Sequence, residues 1–90
     1  EAVTRYLALE LGEKGIAVNT VSAGFVMTDA IDAFPDELGV KDIASRATPA
    51  GRPILPTDVS KVIAMLCGTD AEMIRGQVIM VDGGETLRHA

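Results

Sequence analysis

By type and position, Thr28 is the residue best placed to do chemistry. It follows Gly24 by four residues, just beyond a β-branched run, and ligands of open α/β sheets bind at the carboxyl ends of the strands. A hydroxyl beside free backbone N–H groups at a helix start can hold a phosphate or a carboxamide. Thr28 can equally be the N-cap of a short helix. The other reactive groups offer less. His89, the single histidine, falls in a polar tail. Cys67 lies on an apolar helix stripe with no His or second Cys near it in sequence, which suits a packed thiol rather than a nucleophile. Asp29, Asp32, Asp36 and Glu37 sit beside helix starts and turns, where capping and solvation account for them. No cluster has metal-ligand spacing, and the nine glycines form neither G-x-G-x-x-G nor a Walker arrangement.

The elements that would position Thr28 can be read from the pattern. Residues 1–13 have helical periodicity, with Val3, Leu7 and Leu11 on one stripe and Gly12 and Gly15 as stop signals. Residues 16–22 form an apolar, β-branched run ending at Ala23-Gly24, expected to be a strand buried on both faces. Asn19 interrupts it, and a buried amide there needs hydrogen-bond partners. A long excursion follows, with a short helix expected from Thr28 through Ala33 and another within 39–47. Excursions of this length are usually functional loops or lids. Val59, Val62, Ile63, Leu66 and Cys67 then mark a helix of about three turns. Pro56 suits its first turn, Asp58 its positive end, and Gly68 its stop. Gly76-Gln77 opens a second buried strand, Val78 to Val81, closed by Asp82-Gly83-Gly84.

Strand, helix, strand in this order predicts an α/β fold with parallel strands and a right-handed crossover. Two parallel strands alone do not make a stable sheet. The segment by itself is therefore expected to be unfolded or aggregated. It has no initiator Met and no N-cap before its first helical pattern, so the chain is expected to start inside a helix.

Composition narrows the classes of function. Hydrophobic residues make up 48% of the chain and mean hydropathy is +0.27, so a core of Val, Ile, Leu, Met and Ala is expected. A net charge of −5 without a basic cluster argues against nucleic acid or anionic lipid as a partner. A lone cysteine fits a reducing compartment, and no apolar run is long enough to span a bilayer. A soluble, cytoplasmic protein is expected.

Val18-Asn19-Thr20-Val21-Ser22-Ala23-Gly24, then Thr28, Gly51-Arg52-Pro53, Pro56-Thr57-Asp58-Val59 and Gly76-Gln77-Val78-Ile79-Met80-Val81-Asp82-Gly83-Gly84 resemble the C-terminal part of short-chain dehydrogenases/reductases. The likeness runs from about residue 1 to residue 85. Ala23-Gly24 stands where many members have Pro-Gly. Thr28-Asp29-Ala30 with Phe34-Pro35, Thr48-Pro49-Ala50-Gly51-Arg52 and Met73-Ile74-Arg75-Gly76-Gln77 are most similar to the enoyl-[acyl-carrier-protein] reductase III group of bacterial fatty-acid synthesis.

The resemblance implies the C-terminal strand–helix–strand portion of a Rossmann-type doubly wound parallel sheet, all within one domain, with a lid at about 28–55. It implies NADPH or NADH as cofactor, bound by Gly24, Phe25, Val26 and Thr28, and an acyl thioester, on acyl carrier protein, contacting Ile31 and Phe34. For those two, packing within the lid is an equal alternative. Arg52 fits a structural ion pair better than substrate binding. A homotetramer is implied, with the helix at 57–67 and the strand at 77–82 at an interface. The family's catalytic Tyr and Lys are expected upstream of Glu1, since Tyr6 is followed at four and seven residues by Glu10 and Glu13. The 90-residue segment is thus expected to be inactive alone. The alternatives are a 3-oxoacyl-[acyl-carrier-protein] reductase, another short-chain alcohol or carbonyl dehydrogenase, or a non-catalytic remnant serving as an assembly module.

Overall fold

The computed structural model describes residues 1–26, 33, 35 and 39–89. In order, the chain forms α1 (Ala2–Gly12), β1 (Thr20–Ala23), α2 (Val40–Ser45), α3 (Pro56–Leu66), a 3-10 turn (Thr69–Ala71), β2 (Val78–Val81) and a closing 3-10 helix (Glu85–His89). β1 and β2 pair as a two-stranded parallel sheet. The fold is α/β, as expected. Two compact units are formed, Glu1–Ser22 with Ser60–Met80 and Ala23–Val59 with Val81–Ala90.

In the first unit, α1 ends as its glycines predict. Gly15 (φ 78°) donates to Gly12 C=O at 3.0 Å and Ile16 to Leu11 C=O at 3.1 Å, the paired bonds of a Schellman-type end. Its buried face differs from the sequence expectation. Thr4 and Ala8 are buried, while Val3 remains 68% exposed and Leu7 is also exposed. The reason is close approach: a Cβ on Gly76 would stand only 3.3 Å from Ala8 Cβ, so only small side chains fit against that turn. The Thr4 hydroxyl is hydrogen-bonded to the Thr20 hydroxyl on the same face.

β1 starts at Thr20 rather than at residue 16. Asn19 is the cause. Its side chain donates to Ile74 C=O (2.9 Å) and accepts from Gln77 N–H (3.0 Å), taking the place of backbone partners. Gly76 N–H still reaches Val18 C=O at 2.8 Å and Thr20 N–H reaches Gln77 C=O at 2.9 Å. Asn19's need for partners is therefore met at both ends of its amide.

Neither strand is buried on both faces as the sequence suggested. Every residue of β1 is half-buried, and Met80 of β2 is 49% exposed. A sheet of two strands offers too little neighbouring surface to cover apolar side chains on both sides. The α3 stripe is likewise open, for no residue of α3 is buried and Cys67 is exposed rather than packed. Among the described residues the buried apolar ones are Ala8, Ala44, Ile54 and Ala71, so of the expected Val, Ile, Leu, Met and Ala only Ala and Ile are buried there.

In the second unit, α2 starts after Gly39, held at φ 65°. The chain returns through Thr48–Arg52, and Ile54 pairs with Val26 in an isolated parallel bridge. α3 opens with Pro56 at its first position. Asp58 reaches back to accept Leu55 N–H at 2.7 Å, the acidic half of a capping box. The expected polar tail is instead a 3-10 helix fastened to Asp82. The short helix expected at Thr28–Ala33 lies almost wholly outside the described residues. No described helix is long and apolar enough to cross a membrane.

Candidate functional site

A cleft of about 420 Å³ opens in the second unit. Phe25, Ile43, Ala44 and Ile54 provide its apolar wall, and Gly24 lies at its edge just past the carboxyl end of β1. Arg46, Thr48, Asp82, Glu85 and Thr86 provide its polar side. Phe25 is half exposed while Ile54 is buried, so Ile54 is the floor and Phe25 is free to meet a ligand.

Gly24 sits tightly on that floor. A Cβ there would lie 3.3 Å from Ile54 Cδ1 and 3.9 Å from Asp82 Cβ. The sequence marked Gly24 as the end of a strand, and in the structure an added Cβ there would make the end of the Ile54 side chain give by a few tenths of an ångström. The Val26–Ile54 bridge fixes the chain two residues later. Gly24 and Phe25 are thus brought together at the cleft, with Val26 half-buried beside them. Thr28, Ile31 and Phe34 lie outside the described residues.

Asp82 organises the polar side. It is buried, and it accepts from Gly84 N–H (3.0 Å), Thr86 N–H (2.9 Å) and the Thr86 hydroxyl. The Thr86 hydroxyl contributes most to holding this carboxyl below the ordinary Asp range, followed by the Thr86 and Gly84 amides. These bonds favour the charged form. Ala50 N–H donates to Gly83 C=O at 3.0 Å, and the Thr48 hydroxyl donates to Arg52 C=O at 2.7 Å. The loop returning from α2 is thereby tied to the corner that follows β2.

Arg52 is structural, as the sequence implied. Its guanidinium grips Asp58 with two bonds of 2.7 and 2.6 Å. The hydrogen bond to Asp58, and next its charge, raise the Arg52 pKa above its ordinary value. Sequence reasoning passed over Arg46, Glu85 and Thr86 as site residues, and treated Asp82 only as the close of a strand. The run Asp82-Gly83-Gly84 was the available signal, since an acid before two glycines can collect the amides of its own turn. Nothing local to Arg46 marks it. Among the described residues, no three His, Cys, Asp or Glu groups gather as metal ligands.

A family model described as Enoyl-(Acyl carrier protein) reductase matches residues 1–86. A tropinone reductase homologue of Arabidopsis thaliana is 39% identical over 85 residues, covering 94% of this chain and 33% of its own length. The 3-oxoacyl-[acyl-carrier-protein] reductase FabG of Staphylococcus aureus strain Mu50 is 39% identical over 82 residues, covering 91% of this chain and 32% of its own. A solved short-chain type dehydrogenase/reductase from Mycobacterium ulcerans superposes with a TM-score of 0.79 at 30% identity, over 96% of this chain and 31% of that one. The chain spans about a third of the length of the curated relatives it matches.

Proposed function

The chain belongs to the short-chain dehydrogenase/reductase family, and on that premise we propose that it forms the cofactor-closing, lid-bearing part of a single Rossmann-type NADPH-dependent reductase domain. One observation carries this reading. The exposed Gly24–Phe25 edge lines a cleft just past the carboxyl end of a parallel strand, where open α/β sheets take their ligands.

The residues present fit a nicotinamide. Gly24 leaves the backbone uncovered against Ile54, and the half-exposed Phe25 ring offers an apolar face beside it. The backbone of Phe25 and Val26 would hold the carboxamide, with the Thr28 hydroxyl as a further donor. The bound cofactor supplies the hydride. Ile31 and Phe34 would contact the acyl chain, and in the described cleft Ile43 and Ala44 offer it an apolar wall.

The substrate we favour is a 3-oxoacyl thioester or a related ketone. Two names support this choice over the enoyl thioester of the family model: one relative is a 3-oxoacyl reductase, another a tropinone reductase homologue. The enoyl reading stays as the alternative, supported by the description of the family model. A homotetramer is part of the proposal, because Ile63 and Met65 of α3 and Met80 of β2 are about half exposed and suit burial against another subunit. A cytoplasmic location is part of the same proposal.

The test uses the full-length protein with NADPH, offered 3-oxoacyl and trans-2-enoyl thioesters of acyl carrier protein, with NADPH absorbance as the readout. Consumption with the 3-oxo substrate alone supports the favoured reading. Consumption with the enoyl substrate alone transfers the assignment to enoyl reduction. If the protein neither binds NADPH nor turns over either thioester, the reductase reading fails.

A further inference from the structure

Charge along the cleft of the second unit is unbalanced. Asp82 is saturated by Gly84 and Thr86. Glu85 Oε2 faces Arg88 Nη1 at 3.3 Å, an ion pair without hydrogen-bond alignment. Two of the unit's three described arginines are also occupied. Arg52 is held by Asp58, and Arg88 by Glu85 and by Ala47 C=O at 3.3 Å. The third, Arg46, lines the same cleft as Phe25 and Ile43. Its side chain has no ion pair or hydrogen bond among the described residues.

The backbone of Arg46 is set by the end of α2. It caps the end of α2 in an extended conformation (φ −66°, ψ 145°), and its N–H bonds to Ile43 C=O at 3.3 Å. Arg46 is exposed, and the apolar lining of Ile43, Ala44 and Ile54 on the cleft it borders lowers the local dielectric felt by an anion bound there. The planar donor fork of its guanidinium matches carboxylate or phosphate oxygens in pairs.

We propose that Arg46 is a specificity-determining residue that binds an oxyanion carried by the substrate, away from the carbon that is reduced. The inference rests on the reading of this cleft as the substrate chamber of a reductase. Two sources would present the same chemistry: a carboxylate at the far end of the acyl chain, or the phosphate of a pantetheine arm.

The experiment compares full-length wild type, Arg46→Gln and Arg46→Lys. Three 3-oxoacyl thioesters are assayed: a neutral N-acetylcysteamine ester, the same ester bearing a terminal carboxylate, and a 4′-phosphopantetheine ester. Arg46→Gln is expected to raise KM about tenfold, or 1.4 kcal/mol, for one charged substrate, leaving kcat and the neutral substrate unchanged. Arg46→Lys is expected to recover only part of the loss. Which charged ester responds identifies the source. Equal KM values in wild type and Arg46→Gln for all three esters overturn the proposal, as does an equal loss on the neutral ester.

A binding measurement separates this inference from the activity it rests on. Glutarate and 4′-phosphopantetheine are titrated calorimetrically into the NADPH-treated protein. Weaker binding of either by about tenfold in Arg46→Gln supports the anion site even if no thioester is turned over, in which case the reductase reading alone falls. Absent or Arg46-independent binding of both, with no effect on KM, removes the anion site.

Discussion

Gly83 lies directly against Thr48: at its φ of 63°, a Cβ would stand 2.7 Å from Thr48 Cβ. The contact joins the corner after β2 to the loop returning from α2, both of which border the cleft. It needs a glycine on two counts, the left-handed backbone and the missing side chain.

Gly83→Ala is accordingly expected to destabilise the full-length protein by at least about 2 kcal/mol, from left-handed strain and overpacking together. Urea unfolding gives the measure. Combined with Thr48→Gly, the cost should fall, since the clash is removed while the strain stays. Strict additivity in this double-mutant cycle would show that the two residues do not press on each other.

Asp82 sets a dependence on acid. Its folded pKa lies below that of an unfolded Asp, so its contribution to stability is complete above the unfolded value of about 3.9. It is lost as pH falls through the depressed folded value. Asp82→Asn should be less stable than wild type at neutral pH, and the gap should narrow in strong acid. Urea midpoints measured across this range check the sign. A gap that widens toward low pH would contradict the assignment.

Asp58 should matter more than its ion-pair partner. It both pairs with Arg52 and accepts Leu55 N–H at the start of α3. Asp58→Ala is expected to cost about 1 kcal/mol through the lost cap, and Arg52→Ala measurably less, because the Arg52 side chain is 56% exposed and exposed pairs are screened. Thermal melts of the two variants, run with and without added salt, separate cap from charge.

Asn19→Leu would leave Ile74 C=O and Gln77 N–H without their partner. An unpaired buried group costs about 1–3 kcal/mol. Since the site is only partly buried, a loss near the lower end is expected. Faster hydrogen exchange at the Gln77 amide is the local sign to seek, and unchanged protection there would refute the bridging role.

Gly24→Ala tests the cleft edge. The new Cβ would meet only the flexible end of Ile54 at 3.3 Å, so stability should change by about 1 kcal/mol or less. NADPH affinity should fall about tenfold if this backbone faces the nicotinamide. Fluorescence titration reads the affinity, and unaltered binding would remove Gly24 from the cofactor site.

Legible in the amino-acid order were the α/β succession of elements, the Gly15 and Gly39 boundaries, the opening of α3 at Pro56 and Asp58, and the ion-pairing role of Arg52. Each of these depends on backbone angles and hydrogen bonds confined to a few neighbouring residues. The amino-acid order also put Gly24 at the end of a strand, where a ligand site was expected. Which side chains line the cleft beside Gly24 follows from the tertiary fold. Asp82 and Arg46 reach the Gly24 cleft through folding, and Asn19 finds its partners 55 and 58 residues away. Periodicity failed for the same reason on α1: it counts apolar residues, whereas close backbone approach at Gly76 selected the small Thr4–Ala8 face. Hydrophobic pattern tells which residues gain from burial, but the neighbouring surface present in the fold decides which of them are covered.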